Sequence, residues 1–491
     1  MSLSRFYRHT ATYTIGNLLY RGAAFILVPL NAHALPASEY GKLELITLTA
    51  FILQSVLSAG VAQSALRFYY EYDREEDRHC FISTALIGSF LFAGAGGVLL
   101  LAVAPAVSSF VFNTPVYALA FRLTAISLVI DISREINLAY IRAMERSRLF
   151  VAVALVQLCT QVGATVYFVA VLHLGIIGVL AGNLVASISI WSILTINTLR
   201  TCGVHFDWRR LKPVALYGAP LMLSGLVGAA FQSADRWTLN SYAALETIGI
   251  YALALRIVNI IPTLVVTPFT NSFGPYRFSI MKQDNARNIY ARVMTYYLFV
   301  SAFVVLGLAA ATPELLRLFA PPEYWPAYRL VPLLLIPAGL NGVDYCFQTG
   351  IYITKQTKYM FFATLMTGLV NVALMLLLIP RYGMIGAGLA SICASLYGIT
   401  QTSIISRLVY PMRYELSRMF RIVLAAGVLE LLAFQIDSTN PWHSIPPKMA
   451  IIAMFPLVVG LFRVYTADEI QTVRGVWNRL CTTLQPKPAV S

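Results

Sequence analysis

Five arginines lie within or at the ends of long apolar runs: Arg21, Arg122, Arg134, Arg236 and Arg256. An ionised side chain in hydrocarbon is costly unless it is paired or faces water, so each is a candidate for function. Asp131 and Arg134, spaced i, i+3, share one helix face and read either as a self-satisfied ion pair or, with neighbouring Glu135, as a gating or ion-coupling group. Asp344 takes a comparable position in a later run, and Asp131, Glu135 and Asp344 are the acids best placed to take up a proton or a cation. Asp235 and Arg236 fall in Gln232-Ser233-Ala234-Asp235-Arg236-Trp237. With Arg122 they either snorkel toward an interface or form a closing pair. Arg21 and Arg256 have no opposite charge within a helical turn of their own helices. For these two, an anionic ligand in a water-filled cavity stands level with a structural role. The planar guanidinium fork suits a phosphate or pyrophosphate, whose oxygens it meets two at a time. Asn17 and Gln232 complete the candidate binding set.

Other chemistries lack their residues. There is no Gly-x-x-x-x-Gly-Lys-Ser/Thr loop, no His-Glu-x-x-His and no serine elbow, so no enzyme is expected. The six cysteines, at Cys80, Cys159, Cys202, Cys346, Cys393 and Cys481, have no metal-type spacing and read as small apolar filler. No cofactor is expected beyond coupling to a Na⁺ or H⁺ gradient or to the membrane potential.

The elements that position these residues follow from composition. Of 491 residues 58% are hydrophobic and only 12% charged, with mean hydropathy +0.70. A soluble chain carries about 25% charged residues, so lipid must cover much of this surface. A bilayer core needs roughly 20 apolar residues per helix. Such runs occur near 11–33, 43–66, 80–103, 118–140, 150–172, 176–197, 216–239, 249–272, 292–312, 329–351, 359–380, 384–406, 420–436 and 448–465. They predict an all-α polytopic membrane protein of about fourteen transmembrane helices, twelve if the short run with Glu430 is re-entrant. Continuous runs exclude an outer-membrane barrel.

The net charge of +14 suggests nucleic acid until the cations are placed. With the N-terminus in the cytoplasm, about 26 of the 36 Lys and Arg fall on the cytoplasmic side, Arg277 among them, as the positive-inside rule requires. About five, Lys42, Arg317, Arg329, Arg381 and Lys448, fall opposite. The basicity therefore reads as topology, with both termini cytoplasmic and no nucleic-acid partner. Ala32-His33-Ala34 has the form of a signal-peptidase site, but Asn17 and Arg21 interrupt the preceding apolar core, and the run reads as a retained helix. Mid-helix prolines at Pro29, Pro220, Pro262, Pro268, Pro332 and Pro337 serve as static kinks or as hinges.

The chain repeats itself at an offset of 208. Gly175-Ile176-Ile177-Gly178 matches Gly383-Met384-Ile385-Gly386, Gly41 pairs with Gly249, Leu45 with Leu253 and Phe68 with Tyr276. Six spans per copy keep both copies in the same orientation, which predicts two lobes about a pseudo-twofold axis along the membrane normal. The expected organisation is a first lobe over 1–213, a second over 214–419, two additional helices over 420–466 and a cytoplasmic tail over 467–491. Two lobes that rock about a central cavity make a transporter the leading reading.

Several segments resemble a known family. Tyr217 to Leu221, Ser233 to Trp237 and Ile248 to Ala254 look like the middle section of the bacterial oligosaccharide flippases. Asn371 through Leu378-Ile379-Pro380-Arg381-Tyr382-Gly383 to Gly388 does too, and Leu35 to Gly41 and Gly60 to Phe68 are similar to that family's first hairpin. These are the Wzx-type members of the multidrug/oligosaccharidyl-lipid/polysaccharide exporter (MOP) superfamily. The resemblance implies a V-shaped two-lobed fold in the bacterial inner membrane, ion- or potential-coupled. It implies movement of an undecaprenyl-pyrophosphate-linked oligosaccharide to the outer leaflet by alternating access, for O-antigen, capsule or exopolysaccharide, with a polymerase and glycosyltransferases as partners. In the related lipid II flippases arginines of the first and eighth helices face the cavity, and Arg21 and Arg256 occupy comparable positions. The denser set of cavity arginines expected of a lipid II flippase is lacking, which argues against lipid II as cargo. The alternatives are a cation-coupled multidrug exporter of the same superfamily and a membrane glycosyltransferase or polymerase, which would need a larger outer loop than 104–117 or 437–447.

Overall fold

The computed structural model describes residues 27–58, 68–69, 72–144, 146–354, 356, 358–436 and 441–465. Among them the architecture is helical: α1 (Ala37–Leu57), α2 (Glu75–Phe112), α3 (Ala118–Ala143), α4 (Ser147–Val166), α5 (Gly175–Cys202), α6 (Trp208–Tyr242), α7 (Leu245–Val258), α8 (Thr267–Ser279), α9 (Ala286–Phe319), α10 (Val331–Phe347), α11 (Thr349–Ile353), α12 (Lys358–Val409), α13 (Leu416–Phe434) and α14 (Pro441–Leu461). Short 3₁₀ segments, Pro115–Tyr117 and Pro322–Arg329, precede α3 and α10. The chain divides into two compact units. The first holds Met1–Arg256, Phe319–Leu330 and Val370–Ala390, and the second Ile257–Leu318, Val331–Leu369 and Ser391–Ser491.

Nine helices among the described residues are long and apolar enough to cross a membrane, or ten if the pair Pro322–Arg329 and Val331–Ile353, bent by 52°, forms one span. Most of the first apolar run lies outside the described residues. The eleventh and twelfth runs share α12, which Gly383 breaks with φ 56° and ψ −134°. The seventh and thirteenth runs are helical, as α6 and α13; the charges of α6 flank an uncharged apolar stretch over 214–231, whereas α13 carries Arg418, Arg421 and Glu430. The result is a multi-pass membrane protein, with large apolar side chains such as Phe361, Phe362, Leu376 and Leu377 turned outward.

Local chemistry sets the helix ends. Glu75, Glu76 and Asp77 occupy the first turn of α2, where carboxylates complement the helix dipole, and Asn113 in the left-handed region ends it. Asp207 caps α6 by accepting from Arg209 N at 2.9 Å. Arg210, one residue on, bonds Asp77 at 2.7 Å and ties the starts of α6 and α2 together. Glu323 accepts from Ala37 N at 3.1 Å at the start of α1, and Tyr324 donates to Leu35 O at 2.8 Å. Pro262, one of the mid-helix prolines, opens a π-helical segment between α7 and α8.

The 208-residue repeat is carried into backbone geometry. Gly175 and Gly383 both have φ +56°, and a Cβ on Gly178 or Gly386 would strike the carbonyl of Phe168 or Leu378 at 2.9 and 2.3 Å. Gly41 and Gly249 meet each other. A Cβ on Gly41 would sit 2.1 Å from Leu245 O, and a Cβ on Gly249 would sit 2.0 Å from Ala37 O. Ala37 and Leu245 are themselves repeat partners, so this crossing of α1 and α7 is its own near-symmetric counterpart. Small residues are what allow backbones so close.

In the second unit the core gathers Tyr290, Met294 and Tyr297 of α9, Val343, Cys346 and Phe347 of α10, Ile422 and Leu429 of α13 and Phe455 of α14. Helices α13 and α14 are thus integral to that unit.

Candidate functional site

The close approach of α1 and α7 brings Glu44, one turn beyond Gly41, into a charged network of the first unit. Arg236 on α6 is held from three sides: its Nη1 donates to Glu44 Oε1 at 2.7 Å, its Nε to Asp235 Oδ1 at 3.2 Å and its Nη2 to the Gln232 carbonyl at 2.9 Å. Tyr251 on α7 donates to Asp235 Oδ2 at 2.7 Å. Arg256 reaches the other oxygen of Glu44 at 3.3 Å. Two carboxylates and two guanidiniums make the network neutral, as a buried polar cluster must be to persist in an apolar bundle.

The arrangement corrects the isolation expected of Arg256, whose counter-ion comes from α1. The two arginines are nonetheless unequal. Arg236 keeps 16% of its side chain exposed against 38% for Arg256, and Arg256 has the longer contact. Gln232 serves the network through its backbone carbonyl, and its side chain is exposed. Asn17 and Arg21 lie outside the described residues. Glu44 and Tyr251 are absent from the expected set. Glu44 is legible as an ionisable residue between Leu43 and Leu45 in the second apolar run, and it qualifies by the same rule as the arginines.

The second group surrounds Asp131. Arg134 pairs with it at 3.0 Å, as the i, i+3 spacing predicts, and Ser187 of α5 donates to the same Oδ1 at 2.8 Å. Both residues line a cavity of about 390 Å³ within the first unit, together with Gln157 and Gln161 of α4 and Asn183 and Ser187 of α5. Glu135 does not join them. It lies 4.0 Å from Arg142, with both side chains about two-fifths exposed, so the expected triplet separates into a cavity pair and a surface pair.

The second unit holds Asp344 on α10. Gln348 donates to its Oδ2 at 2.7 Å and Oδ1 has no hydrogen-bond partner. Two cations that the charge count places near the ends of runs are buried here. Arg277 is 4% exposed, with its guanidinium carbon 4.1 Å from the ring centre of Tyr352 and 4.8 Å from that of Tyr345. Lys448 on α14 donates to Glu314 on α9 at 2.6 Å, and both side chains are under 5% exposed. Glu430 of α13 lies within electrostatic reach of that lysine. Among the described residues no group of three or more His, Cys, Asp or Glu could hold a metal ion.

Comparison with known proteins gives this geometry a family. Residues 6–281 match the family described as "Polysaccharide biosynthesis protein", and residues 263–441 match a second family of the same description. The first match covers more than half of the chain, and the chain belongs to that family. A relative from Shigella flexneri named "Putative O-antigen transporter" is 19% identical over 349 residues, spanning 68% of this chain and 82% of its own. Among solved structures, the lipid II flippase MurJ in an inward closed conformation superposes with a TM-score of 0.74 at 16% identity, over 93% of this chain and 98% of its own. An inward-facing multidrug resistance MATE family transporter of the MOP superfamily gives 0.62 at 15% identity, over 80% and 95%. The chain shares the fold of these two transporters.

Proposed function

We propose that this member of the polysaccharide biosynthesis protein family is a flippase. It carries an undecaprenyl-pyrophosphate-linked oligosaccharide across the bacterial inner membrane, for assembly of a surface polysaccharide such as O-antigen, capsule or exopolysaccharide. Family membership and the O-antigen transporter relative support the polysaccharide setting, and the observation that carries the reading is Arg256. It is an arginine in a membrane-spanning segment, bonded to Glu44 at 3.3 Å and to the Tyr40 hydroxyl, with 38% of its side chain still exposed. A pyrophosphate offers the paired oxygens such a fork prefers. Arg21, Asn17 and Gln232 complete the binding set in this proposal. The two six-helix copies move as lobes in alternating access, both termini stay cytoplasmic, and the polymerase and glycosyltransferases of the same pathway are its partners.

Coupling to a Na⁺ or H⁺ gradient or to the membrane potential falls in this reading to Asp344, whose carboxylate has an oxygen without a partner. Asp131 is neutralised by Arg134, Glu135 by Arg142 and Asp235 by Arg236. A carrier of cationic drugs would favour a surplus of acids in its cavity. The Glu44 network has none.

The test replaces Arg256 with alanine and with lysine in a strain whose surface glycan depends on this chain. Alanine should lower glycan export at least tenfold with the protein still inserted, and lysine, which keeps the charge but not the fork, should restore it in part. Full export by Arg256→Ala, or drug efflux conferred on a pump-deficient strain, would sink the proposal.

A further inference from the structure

The Asp131 cavity has a composition that selects among ligand classes. Its ionisable residues are Asp131 and Arg134, paired at 3.0 Å, so it presents no net charge. A bound cation needs several oxygen ligands with a surplus of negative charge, and an anion needs a surplus of cationic or N–H donors. Neither surplus is present.

What the cavity does offer is groups that donate and accept at once. Gln54, Gln157, Gln161 and Asn183 are carboxamides, each with two donors and an acceptor. Gln161 Nε2 donates to Asn183 Oδ1 at 2.8 Å, which leaves the Asn183 amide nitrogen and the Gln161 oxygen for another partner. Gln157 is 8% exposed and its Oε1 has no hydrogen-bond partner within the protein. Phe51, 40% exposed, adds an apolar face to the lining. The volume of about 390 Å³ falls within the range of about 300–1,000 Å³ usual for small-ligand sites.

We infer that this cavity is a binding site for a neutral polyhydroxyl group, a sugar ring. Resting on the flippase reading, the inference assigns it to the glycan of the cargo, apart from the arginines that meet the pyrophosphate. Each sugar hydroxyl donates once and accepts, which is what a carboxamide lining matches and what an ion does not use. Gln157 and Asn183 would then discriminate a glycosylated lipid from the bare carrier.

The test uses the full-length protein purified in detergent, with undecaprenyl pyrophosphate bearing no sugar or one N-acetylhexosamine. Wild type should bind the glycosylated lipid at least tenfold more tightly than the bare lipid. Gln157→Leu and Asn183→Leu, which keep the volume but not the hydrogen bonds, should lose that increment while retaining wild-type affinity for the bare lipid. The retained affinity shows that each variant is folded. An increment that survives in both variants, or that wild type never shows, overturns the inference. Ligand-observed NMR with a methyl N-acetylhexosaminide separates it from the flippase reading. Binding of the glycoside that Gln157→Leu abolishes, without binding of either lipid, would leave the sugar site standing and remove the pyrophosphate carrier. No binding of glycoside or lipid would remove both.

Discussion

Replacing Gly41 or Gly249 by alanine tests the crossing of α1 and α7. The added Cβ would lie 2.1 Å from Leu245 O in the first case and 2.0 Å from Ala37 O in the second. Carbon–oxygen contacts between closely packed helices settle near 3.3 Å or more, so the helices must part by roughly 1.2 Å. The obstacle is backbone on both sides, and no side chain can turn away to relieve it. Overpacking of one methyl costs about 1–3 kcal/mol, and this site belongs at the upper end. The same displacement would stretch the 3.3 Å contact between Arg256 on α7 and Glu44 on α1 to roughly 4.5 Å, beyond hydrogen-bonding range. Each single variant should therefore lose about 3 kcal/mol of stability, read by SDS titration in mixed micelles. One separation accommodates both methyls, so the double variant should lose little more than either single and fall short of the additive value by about 3 kcal/mol. Singles within about 0.5 kcal/mol of wild type, or a double that is the plain sum, would refute the reciprocal contact.

Three further outcomes follow from the charged clusters. Glu44→Gln should cost about 3 kcal/mol, the low end for breaking a buried pair, because Arg236 keeps Asp235 and the Gln232 carbonyl; unchanged stability in the same titration would contradict the network. Lys448→Met leaves the Glu314 carboxylate buried with Ser444 but without a counter-charge and should cost about 3–5 kcal/mol, whereas adding Glu314→Leu should recover most of it, as measured by thermal unfolding of the purified protein. Asp344→Asn should abolish the dependence of glycan export on the ion gradient while the protein still binds its lipid cargo, and export that still follows the imposed gradient in vesicles would move the coupling elsewhere.

The helices were largely legible because hydrocarbon imposes a length and a polarity on each span, and both are written locally in the chain. Short-range chemistry was legible too: Asp131 and Arg134 pair as their i, i+3 spacing requires. Long-range pairing was not. Glu44 stands in plain view in its apolar run, but its partners are 192 and 212 residues away, and no local spacing connects them. Arg277 and Lys448 show a second kind of blindness. Counting cations by topology places both near the ends of runs, where water is the default neighbour. Burial of Arg277 depends on rings from α10 and α11, and burial of Lys448 on an acid from α9. The cavity was half legible, since its ion pair sits on α3 alone and its carboxamides come from α1, α4 and α5.

The two kinds of repeated glycine also act as a ruler. From Gly41 to Gly175 is 134 residues, and from Gly249 to Gly383 is 134 again. At one end of each interval a backbone crossing admits no side chain, and at the other a left-handed turn favours glycine alone. The residues between are free to diverge, and they have, since the two copies share few identities. Their number is not equally free. An inserted residue in any intervening loop would have to be absorbed there, without passing into the helices on either side, or the copy would lose its register against one of its fixed points. Length is therefore what the duplication has preserved most faithfully, and a family-wide survey of insertions should find them outside these two intervals or confined to the tips of their loops.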